Sequence, residues 1–212
     1  MIDPTQPVPP RSARAQTAAA AAAIARGRRT QPNGWWGMAL FLCAEVTLFG
    51  SLIATYFYLD FGAKRWPPAG IQAPSVVLPL AITGALVATS LPLALAVRAS
   101  RRAESSRVLV LLLLAFGVQL GYLAVQVVLF RHDLRQFRPQ DTAYGSIYFT
   151  LLGAHHAHVI LGLGLELAVA WQILTRGLTN YWLIGLRTVA LYWHVVNVLA
   201  ILVVLTQLSP SL

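Results

Sequence analysis

Apolar residues along the chain fall into five long blocks, and within each block they neither alternate nor break. The blocks cover residues 36–59, 76–97, 108–130, 145–174 and 186–208. About 20 consecutive apolar residues let an α-helix cross the roughly 30 Å hydrocarbon core of a bilayer, whereas barrel strands are about half as long and carry a period of two. An open sheet is excluded as well, because its edge would leave backbone N–H and C=O groups facing lipid. The pattern therefore predicts an all-α polytopic membrane protein with five transmembrane helices. The fourth block, of some 30 residues, is longer than one perpendicular crossing needs and predicts tilt or projection beyond the bilayer.

Residues 1–34 differ in kind from residues 35–212, which hold all five blocks. A proline-rich opening, MIDPTQPVPP, leads into the acid-free, Arg- and Ala-rich stretch RSARAQTAAAAAAIARGRR. That composition also describes a mitochondrial transit peptide. No cleavage context is visible, and the preference for Arg over Lys with abundant Ala fits a GC-rich bacterial genome. A cytoplasmic tail, ordered only where it touches something, is the expectation. No secretory signal is read, since the first apolar block begins too late and runs too long.

Composition supports a lipid environment: 57% of the 212 residues are hydrophobic and 11% are charged, outside the usual range of a soluble domain. The distribution of the basic residues then sets the orientation. Arg11, Arg14, Arg26, Arg28, Arg29, Arg98, Arg101, Arg102, Arg107, Arg176 and Arg187 fall on one side of the predicted spans, and Lys64, Arg65, Arg131, Arg135 and Arg138 on the other. The positive-inside rule places the N-terminus in the cytoplasm and the C-terminus outside. The net charge of +9 is thus accounted for by topology and lipid headgroups and does not point to nucleic acid. The single cysteine, Cys43, can build neither an internal disulfide nor a thiolate metal site, and reads as a packing or lipid-facing residue.

Polar groups inside the blocks carry the chemistry. Glu45 stands about ten residues past Trp35–Trp36, roughly 14 Å at 1.5 Å per residue, which is near the bilayer midplane. His155, about ten residues past Gly145, reaches similar depth from the opposite face, and His194 is about eight residues into the last block. At about 100° per residue, Tyr148, His155, His158, Gly162 and Glu166 share one face of the fourth helix, with His156 off that stripe. Met38, Glu45, Phe49, Leu52 and Tyr56 similarly share a face of the first helix. Ionisable groups in spans face protein or a water-filled cavity, so both stripes are expected to point inward. Gly162 and Gly164 would let a neighbouring helix come close.

From the residues alone, three readings of the histidines stay open: a metal or haem site formed by His155, His158 and His194, a proton path using Glu45 or Glu166, and helix packing through hydrogen bonds. Unpaired axial histidines and missing cysteine ligands speak against the first. A carboxyl at the midplane has to be protonated or hydrogen-bonded, and the helix-4 histidines or a deeply seated lipid are the expected partners of Glu45.

The run W36-G37-M38-x-x-F41-L42-x-x-E45-x-x-x-F49 resembles the helix of haem-copper oxidase subunit III that bears its buried, carbodiimide-reactive glutamate. Y144-G145-S146-x-Y148-F149-x-x-x-G153-x-H155-x-x-H158-V159-x-x-G162 is similar to the glycine-histidine helix of the same family, and Y192-W193-H194-x-V196 to its final helix. The resemblance spans most of residues 36–200 and departs from the family at His156, at Asn197 and Leu129 where acids are common, and at Glu166. Five helices against seven in longer members is a shortened form.

The resemblance implies a non-redox accessory subunit of a proton-pumping, oxygen-reducing respiratory oxidase in the bacterial cytoplasmic (inner) membrane. Such a subunit stabilises subunit I, belongs with subunit II, holds phospholipid in an interhelical cleft and supports proton supply at the cytoplasmic side. It carries no cofactor of its own, haem and copper residing in the partner subunits. No catalytic or metal residue is expected here. Glu45, His155, His158, Glu166 and His194 are the buried polar, lipid- or proton-related positions, and Trp36, Gly153, Gly162 and Trp193 the helix-packing ones. A partner of nitric oxide reductase, a small haem-binding membrane cytochrome and a proton-coupled transporter are the alternatives. The orientation has a direct test: reporter fusions at Met1 and Leu212 are expected to report a cytoplasmic N-terminus and an external C-terminus, and an external N-terminus would refute the five-span topology or its direction.

Overall fold

The computed structural model describes residues 33–72, 75–177 and 180–211. Among them the chain forms α1 (Asn33–Gly62), α2 (Val77–Ala88), α3 (Ser90–Ser100), α4 (Ser105–Gln136), α5 (Ala143–Arg176), α6 (Asn180–Leu208) and a final 3₁₀ turn, with no strand. α2 and α3 together make the second span, so five helical rods are long and apolar enough to cross a membrane, as the blocks predict. The expected tail lies outside the described residues except for Asn33 and Gly34, which open α1.

Each helix overruns its apolar block, because polar ends remain helical beyond the hydrocarbon. His132, just past the third apolar block, accordingly lies in the last turns of α4. The longest helix, α5, has 34 residues, about 51 Å of axis and well beyond one hydrocarbon thickness. It starts where the Thr142 hydroxyl accepts the Gly145 N–H at 3.0 Å, a standard N-cap contact. It stops at Gly177, whose φ of 71° few other residues adopt. The break between α2 and α3 at Thr89 also has a local cause. Pro92 has no N–H to bond the Ala88 carbonyl and its ring crowds that group; the Thr89 hydroxyl bonds the Leu86 carbonyl instead, at 2.6 Å.

α6 is the central rod, touching α1, α2, α3 and α5, while α4 packs against α2, α3 and α5. Among the described helices α1 touches only α5 and α6. The main core runs through the α2–α6 side and includes Leu86, Leu93, Leu112, Val159 and Trp193. A second, aromatic cluster of Tyr56, Tyr144, Tyr148 and Phe149 closes the end of the molecule where α4 joins α5. Trp66, from the connection after α1, wedges there at 5.3 Å from Tyr56 and 4.9 Å from Tyr144.

The glycines separate by what surrounds them. At Gly162 an added Cβ would lie 2.7 Å from the Trp193 ring and 2.9 Å from Tyr192, so this glycine lets α6 approach α5, and Trp193 is fully buried against it. Gly153 and Gly164 have nothing within 4 Å of a would-be Cβ, so neither packs against another helix among the described residues. Trp36, expected at a helix contact, is 55% exposed and meets Trp35 edge-on at 5.0 Å, as a side chain facing lipid or an interface would. Gly162→Ala is therefore expected to cost about 1–3 kcal/mol through overpacking against a rigid indole. Gly153→Ala should stay within about 0.5 kcal/mol. Thermal denaturation midpoints of the detergent-solubilised protein check both, and equal midpoints would show that the α5–α6 approach tolerates a methyl group.

Candidate functional site: polar contacts between the spans

The inward stripe of α1 is formed by Phe49 and Tyr56, both fully buried, with Met38 and Leu52 half-buried against the cores. Glu45 sits in this stripe, and its Oε2 lies 2.7 Å from Nε2 of His158 on α5. The other ring nitrogen, Nδ1, lies 2.7 Å from the Ala154 carbonyl. A carbonyl can only accept, so Nδ1 carries a hydrogen. The Nε2–Oε2 contact then holds a single proton, and the pair is neutral overall whichever partner carries it. That is the arrangement a low-dielectric interior tolerates. Phe49 covers the imidazole edge-on at 5.2 Å, and the Tyr192 hydroxyl of α6 donates to the His158 carbonyl at 2.7 Å. Three helices thus meet at one residue.

His155, one turn away on the same helix, turns to α4 instead. Gln126 Nε2 donates to the Tyr122 hydroxyl at 3.0 Å, and that hydroxyl stands 3.1 Å from His155 Nε2. Tyr122 thus accepts from Gln126 and links it to the ring, while His155 Nδ1 is buried with no hydrogen-bond partner among the described residues. Glu166 is 1% exposed, two turns beyond His158 on the same face. Both its oxygens lack a hydrogen bond of regular geometry, although Gln119 and Trp193 flank the carboxyl. Gln119 in turn donates to the Thr89 hydroxyl at 3.4 Å, and Asn197 donates to Ser90 at 2.8 Å, so the α2–α3 break is tied to α4 and α6.

The predicted polar residues are thus brought inside, but not to one point. Glu45 and His158 form one contact, His155 another, and Glu166 a third. His194 is half-buried and makes no hydrogen bond with the others. His156, read as off the stripe, is nonetheless 8% exposed and packs against Phe130 at 5.6 Å; the side away from α1 is the α4 interface, which is buried too. Among the described residues no three His, Cys, Asp or Glu side chains gather as a ligand set. Sequence reasoning missed Gln119, Tyr122 and Asp133. For the first two a signal existed, since Leu112, Ala115, Gln119, Tyr122 and Gln126 follow one buried face of α4 at spacings of three and four.

A cleft of about 520 Å³ lies beside this site, walled by Asn33, Gly34 and Met38 of α1, Leu165, Ala168, Val169 and Gln172 of α5, and Ile184, Gly185, Thr188 and Val189 of α6. Its walls are mostly apolar, and the exposed Arg176 and Arg187 stand at the same end.

Comparison with known proteins agrees with this architecture. The family model described as cytochrome c oxidase subunit III matches residues 21–208. A probable quinol oxidase subunit 3 of Staphylococcus haemolyticus is 32% identical over 171 residues, covering 80% of this chain and 84% of that protein. The corresponding protein of Staphylococcus aureus strain USA300 is 30% identical over 166 residues, 78% of this chain and 81% of its own. Cytochrome c oxidase subunit 3 of Locusta migratoria is 30% identical over 170 residues, 77% of this chain and 64% of the longer insect protein. With all five spans inside the family match and relatives of 30% identity or more over most of its length, the chain belongs to the cytochrome c oxidase subunit III family and is an accessory subunit of a haem-copper oxidase complex.

Proposed function

We propose that this subunit works without redox chemistry of its own, as a lipid-bearing brace on the catalytic subunit of an oxygen-reducing, proton-translocating oxidase in the bacterial cytoplasmic membrane. Subunit I is its main contact, and subunit II completes the same complex. The bacterial setting is supported by relatives from Staphylococcus. The observation that carries the reading is the Glu45–His158 contact at 2.7 Å. It is a partly buried acid–imidazole pair between two spans, and Tyr192 fastens the third helix to the same residue.

The neighbouring cleft extends the reading to phospholipid. Its apolar walls suit acyl chains, and Arg176 and Arg187 suit an anionic headgroup at that end. By charge asymmetry this is the cytoplasmic end, where support of proton supply to the catalytic subunit would act.

Two variants separate bracing from proton carriage. Glu45→Gln keeps shape and hydrogen bonding while removing titration, and Glu45→Ala removes the contact too. Bracing predicts that the Gln variant assembles and turns over as the parent does. The Ala variant should lose about 1–2 kcal/mol of interhelical stability and part of its co-purified phospholipid. Subunit composition, lipid phosphorus and oxygen consumption of the tagged, purified complex are the measurements. Loss of pumping or of sustained turnover in Glu45→Gln alone would assign proton carriage instead, and parental behaviour of both variants would show Glu45 to be the wrong residue.

A further inference from the structure

The end of the bundle opposite the apolar cleft is polar inside. A cavity of about 310 Å³ opens there, with Gln72, His132 and Gln136 at its mouth. A narrower one of about 80 Å³ continues between α2, α4, α5 and α6 and reaches Gln126 and Tyr122. Ser75, Leu129, Asp133 and Tyr148 line both, so the two are one crevice with a constriction. Polar groups follow it inward. The Tyr148 hydroxyl donates to Asp133 at 2.8 Å, and beyond the constriction Gln126 donates to Tyr122 at 3.0 Å. Tyr122 meets His155 Nε2 at 3.1 Å.

From Asp133 to Tyr122 the crevice descends eleven residues of α4, about 16 Å, half the hydrocarbon thickness. His155, at its inner end, is 1% exposed. A cavity stays dry when its walls are apolar, and holds water when it has room for a probe sphere of roughly 10–15 Å³ and two to four polar partners. The narrow part has several times that room, and Gln126, Tyr122, Tyr148, Asp133 and Gln207 all reach it.

We propose that this crevice is a water-filled half-channel that joins one aqueous face of the membrane, the face carrying the α4–α5 connection, to the His155 imidazole, with water as its ligand. Protons at His155 then exchange with that face alone: as a hydronium in the crevice gives its proton to the Tyr122 oxygen and becomes water, Tyr122 passes its own hydroxyl hydrogen to Nε2, so the tyrosine ends as it began and the imidazole carries the added charge. The site is separate from the Glu45–His158 pair, which looks toward α1, and does not depend on the role assigned to that pair.

Cysteine accessibility in the whole complex tests it, in sealed vesicles and with the native thiol removed by Cys43→Ala. A charged methanethiosulfonate added on the α4–α5 side is expected to modify Ser75→Cys and Leu129→Cys at rates within about tenfold of the mouth position Gln136→Cys. Leu167→Cys, which faces lipid, should react at least ~100-fold more slowly, because a thiol in apolar surroundings stays protonated. Silver ion added on the same side should also reach Gln126→Cys. Leu129→Cys and Ser75→Cys reacting no faster than Leu167→Cys would sink the proposal, and so would equal reactivity from both faces. Silence at every position, Gln136→Cys included, refutes it too, since a crevice sealed in the assembled complex joins nothing.

Discussion

Among the described residues, one hydrogen bond joins the side chains of α1 to another helix, and it is the bond from Glu45 to His158. Lipid tails are as apolar as leucine, so no hydrophobic force gathers helices within a bilayer. Helix contacts there rest on close packing and on polar groups that have no better partner. Among the described residues α1 touches only α5 and α6. Its position therefore depends on the fit of Phe49 and Tyr56 between those two rods and on the neutral acid–imidazole pair that sets its depth and rotation. A slide by one turn would put Phe49 where Glu45 stands and leave the imidazole facing a ring.

His158 can serve this role because α5 and α6 are already locked together beside it. Gly162 admits the Trp193 indole, and the Tyr192 hydroxyl bonds the His158 carbonyl. The same close approach brings Trp193 beside Glu166. The other face of α5 is occupied by α4, through Tyr122 and His155. One helix thus presents its stripe to two different neighbours, and two histidines only three positions apart serve separate contacts. The split follows from the offset of about 60° between them on a helical wheel, which is enough to cross from one groove to the next.

Much of this was legible in the sequence. Apolar block length gave the five spans, and the 3.6-residue period gave the inward faces of α1 and α5. Depth counting put Glu45 level with the helix-4 histidines, and their expected pairing is what His158 provides. The motifs around Glu45, His155 and Trp193 gave the family. Other features depend on which helix stands next to which, and periodicity is silent on that. His156 faces away from α1, yet α4 buries it. Gly153 and Gly162 look alike in sequence, and only the indole of another helix distinguishes them. Asp133 lies past the end of its apolar block, where the pattern marks no element; the helix continues beyond the lipid and carries the acid to the crevice. The break at Thr89 was within reach, since Pro92 is its cause, although an apolar run containing proline still reads as one span.

The Glu45–His158 contact also constrains how the protein is made. Its two residues are separated by 113 positions in the chain. At roughly 5–20 residues per second, the ribosome needs about 6–23 s to extend the chain from one to the other. Over that time the first span resides in or beside the translocation channel with a carboxyl that has no imidazole to meet. The acid has to cross the interval as the neutral form, or with water drawn in around it, before α5 and α6 arrive to claim it. The residue that orders the finished bundle is thus the one that delays its first helix, and the completed fold is reached only when the last two spans have left the ribosome.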